Sequence, residues 1–164
     1  MLTIILSIKA SVQYFYVVSY GYIALQKERQ KVMTESKKWI NFQKALANLK
    51  EIENKLPPYD TVVETGMVAL YEICFEQAWK AMKDRLEFAG YAENKIGSPK
   101  GIIKLAYQAG MIGDEQLWLE ALQARNNVAH SYNEQIALGI ISDSKEKFIE
   151  MFEALQNEIQ ENWM

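Results

Sequence analysis

The fold turns on the stretch DTVVETGMVALYEICFEQAWKAMKDRLEFAG, running from Asp60 to Gly90. Val63, Met67, Leu70, Cys74, Trp79, Met82 and Leu86 recur along it at close to helical spacing and trace one apolar face. Asp60 stands where a helix wants a side-chain acceptor for its first free amides. Gly90 stands where the chain leaves a helix in a left-handed conformation. A helix between those two signals spans ~40 Å at 1.5 Å per residue, long enough to be the spine of a bundle.

Working outward, Trp39, Ile40, Phe42, Leu46, Leu49, Ile52 and Leu56 predict a core-facing helix from Thr34 to Lys55, stopped by Pro57 and Pro58. On the other side, Ser98-Pro99 is a start signal: serine accepts an amide bond and proline fills the first helical position, where no donor is needed. That helix should end near Ala109. Gly110 and Gly113 punctuate the next turn, and Asp114 caps a fourth helix whose Leu117, Trp118, Ala121 and Leu122 face inward. Asn133 is the expected cap of a last helix carrying Ile136, Ile140, Ile141, Phe148, Phe152, Leu155 and Ile159. No period-two alternation flanked by hairpin residues follows Met33. The expected fold is therefore all-α, an up-and-down antiparallel bundle of four to five helices.

Residues 1 to 32 have a different character. MLTIILSIKASVQYFYVVSYGYIALQ carries one charge, Lys9, ahead of the polar QKERQK. A secretory signal would place its positive charges before the apolar core and a small-residue cleavage site after it, and neither is present. Lys9, Gln13 and several serines interrupt what would have to be ~20 predominantly apolar residues for a membrane span. The expected organisation is an apolar extension over 1–32, with translation starting at Met33 as the preferred reading, and a helical bundle over 33–164. A membrane-tethered interaction module through residues 1–26 is the competing reading of this segment.

A chain of 164 residues with 49% hydrophobic and 12% aromatic content can build one sizeable core. Its formal net charge of -3 supplies no basic field of the kind that captures DNA or other nucleic acid without regard to sequence. The single cysteine, Cys74, lies in an apolar helical run and excludes a disulfide framework and a cysteine-rich zinc site, so a reducing cytoplasm is expected. No metal or cofactor site is read from the residues.

Chemistry concentrates in Arg125-Asn126-Asn127-Val128-Ala129-His130-Ser131-Tyr132, which holds the chain's one histidine. On a helix Asn126 and His130 share a face, and Arg125 lies ~100° around from Asn126, within swinging distance of the imidazole. If the helix ran on, Tyr132 would fall in line with Arg125; if Asn133 caps a new helix, Tyr132 sits on the connecting turn. Two meanings compete. Cations and asparagines favour helix C-termini through the macrodipole and capping alone. A group titrating near neutrality beside a fixed positive charge also suits binding or cleaving a phosphodiester.

The order of the pieces resembles the HEPN family, specifically the nucleotidyltransferase substrate-binding proteins and the related HepT-type toxins. The resemblance rests on Phe75-Glu76-Gln77-Ala78-Trp79-Lys80, Gly97-Ser98-Pro99-Lys100, Ala109-Gly110-Met111-Ile112, Trp118 and Arg125 through Tyr132, within residues 36 to 160. It implies that Arg125 and His130 form the family's Arg-x4-6-His pair and that Tyr132 completes the Arg-x4-His-x-Tyr form as an acceptor for AMP. It further implies a cognate minimal nucleotidyltransferase as partner in a two-gene toxin-antitoxin pair, a homodimer, and a nucleotide or RNA substrate. Whether the chain is an enzyme stays open between a non-catalytic subunit and a metal-independent ribonuclease that uses Arg125 and His130 and is neutralised by adenylylation of Tyr132. Such cleavage needs a base for the 2′-hydroxyl, an acid for the leaving oxygen and a cation for the phosphorane. If both proton transfers fall to His130, the one histidine of each chain requires two copies to share a cleft.

The resemblance also places an acidic residue of the second helix near this cleft, and of Glu72 and Glu76 the choice is Glu76. Its alternative is an exposed ion pair with Lys80 one turn on. Lys80, Lys83, Arg85, Lys95, Lys100 and Lys104 make the middle of the chain locally basic and are the expected phosphate contacts, Lys80 and Lys100 first among them, the alternative being a solvated charged surface. Trp39, Trp79 and Trp118 read as core or interface aromatics.

Overall fold

A computed structural model describes residues 21–22, 36–91 and 97–164. The chain divides into two compact units, Met1–Ser36 and Lys37–Met164. Of the first, the described residues are Gly21 and Tyr22, both helical, and Ser36. The expected boundary at residues 32 and 33, the helix start at Thr34, and the apolar stretch apart from Gly21 and Tyr22 all lie outside the described residues. Among the described residues no helix is long and apolar enough to cross a membrane.

The second unit is helical throughout, with no strand among the described residues. Helix α1 spans Lys37–Lys50 and tightens into a 3-10 turn over Glu51–Asn54. Leu56, expected in the core, is instead 81% exposed. The helix has already ended at Lys55, whose backbone is extended, and the prolines carry the chain outward. Helix α2, Thr61–Phe88, has the predicted ends: Asp60 accepts from the Val63 amide at 2.9 Å, and Gly90 adopts a φ of 82°. The Tyr91 amide reaches back to the Leu86 carbonyl and the Gly90 amide to that of Glu87, which closes the helix end.

Helix α3 spans Pro99–Gln108, capped by Ser98, and α4 spans Glu115–Asn127, capped by Asp114. After Asn127 the chain tightens into a 3-10 turn over Val128–His130. Asn133 then caps α5, Glu134–Asp143, its side chain accepting from the Gln135 amide at 2.9 Å. A π-helical turn over Ser144–Phe148 joins α5 to α6, Ile149–Asn162, in one continuous run.

That π-helical turn goes beyond the single expected helix, although its cause is written in the spacing. The buried positions Ile140, Ser144, Phe148 and Phe152 fall four residues apart. In an α-helix each such step drifts ~40° away from the core, and a locally wider turn cancels the drift. Ser144, fully buried, returns its hydroxyl to the Ile140 carbonyl at 2.6 Å. Phe148 is thereby brought under Tyr71, with ring centroids 5.3 Å apart. From there the core continues through Phe152, Trp118, Phe75, Phe42 and Trp39 as a chain of ring contacts. α2 lies at the centre of this packing, with α1, α3, α4 and α5 all against it.

Candidate functional site

The last turn of α4 and the corner leading to α5 carry the predicted residues. Arg125 reaches across to α2, where its Nη2 meets the Glu76 carboxylate (Oε1) at 2.6 Å. The second oxygen of Glu76, Oε2, accepts from the Trp79 indole at 3.1 Å and from the Lys80 ammonium at 3.2 Å. The Lys80 ammonium also lies 5.6 Å from the Trp79 ring centroid. Arg125 Nη1 stands 3.5 Å from the Asn126 side-chain oxygen, and its Nε is buried without a hydrogen-bond partner. Glu76 therefore pairs with Arg125 across helices and with Lys80 along its own.

His130 and Tyr132 lie further along. The 3-10 turn winds Val128–His130 more tightly than an α-helix, so the simple stacking of Asn126 and His130 expected on one face does not carry through. The imidazole and the Tyr132 phenol face each other edge to face, with centroids 6.3 Å apart. His130 is exposed, and Tyr132, on the connecting turn, is 87% exposed. Among the described residues no hydrogen bond or ion pair joins Arg125 to His130. The guanidinium is turned toward Glu76 instead.

Tyr132 stands at the rim of an open cavity of about 690 Å³ between the start of α2 and the start of α5. Tyr59, Asp60, Glu64, Ser131 and Glu134 line it with polar groups. Lys100 is exposed at the first turn of α3, and among the described residues no hydrogen bond or ion pair joins it to the Glu76 cluster. Arg85, expected as a phosphate contact, is buried, and desolvation pulls its pKa below the usual arginine value against the pull of Asp84. It belongs to the interior. Lys95 lies outside the described residues.

The profile described as "Nucleotidyltransferase substrate binding protein like" matches residues 37–161, the whole helical unit up to its last turn. The chain belongs to this family. Among similar proteins, "Probable ribonuclease HepT" of Haemophilus influenzae is 24% identical over 137 residues, covering 82% of this chain and 86% of the relative. A solved protein of Thermus thermophilus superposes with a TM-score of 0.65 at 29% identity, covering 73% of this chain and 98% of the other. A second, from Haemophilus influenzae, is described as revealing the fold of a substrate binding domain of a nucleotidyltransferase. It superposes with a TM-score of 0.62 at 19% identity, over 75% of this chain and 99% of the other, and shows the shared fold.

Within this nucleotidyltransferase substrate binding protein like chain, one site contact escapes the sequence. Trp79 packs half-buried against the core, as its spacing predicts, and it also spends its indole N–H on Glu76. The signal is available, because Glu76, Trp79 and Lys80 stand at i, i+3 and i+4 on one flank of α2.

Proposed function

We propose that this chain is the partner subunit of a separate minimal nucleotidyltransferase, the helical half of a two-gene pair, which presents to it a nucleotide or RNA substrate and its own Tyr132 as an acceptor for AMP. Family membership over residues 37–161 supports the reading. The observation that carries it is the exposure of Tyr132, 87% open beside His130, at the rim of a polar cavity. A phenol so placed can enter another protein's active site without any rearrangement of the bundle. Its oxygen attacks the α-phosphorus of ATP, its proton passes to base or water, pyrophosphate leaves, and AMP remains on the tyrosine. The test is co-expression of the two chains, followed by co-purification and intact mass. Separate elution at micromolar concentration would remove the partner claim.

A second reading is a ribonuclease silenced by that modification. Its support is that Arg125, held on a carboxylate in the last turn of α4, and the exposed His130 on the turn that follows bring a fixed cation and an imidazole to one corner of the bundle. One His130 takes the 2′-hydroxyl proton, and the oxygen attacks phosphorus. Arg125 stabilises the charge that builds there, and the imidazolium of a second copy returns a proton to the departing 5′-oxygen. Both roles cannot fall to one imidazole at once, so a homodimer is part of this reading. Sedimentation of the full chain at tens of micromolar, where a monomer would refute the dimer, accompanies RNA cleavage as the assay.

A further inference from the structure

Glu76 is gripped by more donors than a carboxylate needs merely to aim one arginine. Its Oε1 receives Arg125 at 2.6 Å, while its Oε2 receives Lys80 at 3.2 Å and Trp79 at 3.1 Å. A guanidinium, an ammonium and a neutral N–H, drawn from two helices onto one small anion, make up the donor set that recognises phosphate. The cluster is reachable from solvent. The side chains of Arg125, Lys80 and Glu76 are 34%, 37% and 20% exposed. Ion pairs this open are weak and exchangeable, and an anion with more charge and more oxygens can compete for both cations.

We propose that the Glu76 carboxylate occupies a phosphate-binding site formed by Arg125, Lys80 and Trp79, and is the built-in competitor of an incoming phosphate group. The inference rests on reading Arg125 as a phosphate-facing cation, and it adds an occupant to that site. When phosphate arrives, Arg125 and Lys80 transfer from carboxylate to phosphate oxygens and Glu76 rotates toward solvent. The Trp79 N–H, released from Glu76, becomes the third donor. No covalent bond changes.

A merely orienting carboxylate and a competing one predict opposite signs. The probe is inorganic pyrophosphate, titrated calorimetrically into the full chain as wild type, Glu76→Gln, Arg125→Gln and the double variant. Glu76→Gln is expected to bind about fivefold more tightly than wild type, a gain of the size that a partly screened pair allows. The double variant is expected to lose that gain. Equal or weaker binding by Glu76→Gln overturns the proposal and leaves Glu76 as a holder of Arg125. If Arg125→Gln binds as wild type does, the underlying reading of Arg125 fails instead, so the two failures are distinguishable. Should Glu76→Gln not fold, the wild-type chain still decides: pyrophosphate must shift the Trp79 indole N–H resonance while sparing that of buried Trp118. An unmoved Trp79 signal would reject the exchange.

Discussion

The Tyr71 hydroxyl donates to the carbonyl of Ala121 at 2.5 Å inside the core, fastening α2 to α4 one turn ahead of Arg125. Burial, with smaller contributions from Cys74 and Asp143, pushes this phenol far above its ordinary pKa, so it remains a donor at any pH the protein meets. Tyr71→Phe keeps the ring that stacks on Phe148 and removes only the donor. The expected cost is ~1 kcal/mol, read as a fall of ~2–5 °C in Tm by circular dichroism, and the change should not vary between pH ~6 and ~9. Amide exchange over Arg125–Val128 should quicken. An unchanged Tm would mean the bond adds nothing to the α2–α4 contact.

His130 and Arg125 separate function from folding. His130 is exposed, so His130→Ala should leave stability within ~0.5 kcal/mol of wild type. Arg125→Ala breaks a partly open pair and should cost ~1 kcal/mol or less. If the chain cleaves RNA, both variants lose cleavage, and cells expressing them outgrow cells expressing wild type. Equal growth and intact RNA in all three would reject catalysis by this pair.

Much of the bundle was legible because its helix ends are written in local chemistry. Asp60, Ser98, Asp114 and Asn133 each cap the helix the sequence assigns them, and Gly90 closes α2. Caps act within a single turn, so they can be read without knowing the fold. The contact between Arg125 and Glu76 is of another kind. It depends on the relative rotation of α2 and α4, which is set by the packing of Tyr71, Phe75 and Trp118, and spacing within either helix says nothing about it. The family resemblance could nominate Glu76 and helical spacing its pair with Lys80, whereas the bridge to Arg125 and the bond from Trp79 come from geometry. Leu56 misleads for the opposite reason, because its spacing is right but the helix has ended before it.

Gly110 and Gly113 look alike in sequence, both marking the turn between α3 and α4, yet they should respond differently to the same substitution. Gly110 has a φ of 78°, which an L side chain resists, and its amide closes the α3 end on the Tyr107 carbonyl. Gly113 is not among the positive-φ glycines, and a methyl group there would meet no atom within 4 Å. Gly110→Ala should cost ~1 kcal/mol in urea unfolding, while Gly113→Ala should lie within ~0.5 kcal/mol of wild type. Equal costs would show that the conformation at Gly110 is not what demands glycine.

Tyr132 offers the most direct connection between site and partner. Its ring is in solvent apart from the edge-to-face approach of His130, so Tyr132→Phe should leave Tm unchanged. Co-expressed with the nucleotidyltransferase, wild type should gain the mass of one AMP on the peptide containing Tyr132, and Tyr132→Phe should gain none. Tyr107 and Tyr91 are also exposed, at 47% and 53%, and serve as internal controls for indiscriminate modification. Exposure alone would label all three. Selective labelling of Tyr132 instead requires recognition of its surroundings, the imidazole on one side and the cavity bordered by Asp60, Glu64 and Glu134 on the other. AMP on Tyr107 or Tyr91 at a comparable rate would place the acceptor chemistry outside this corner of the bundle.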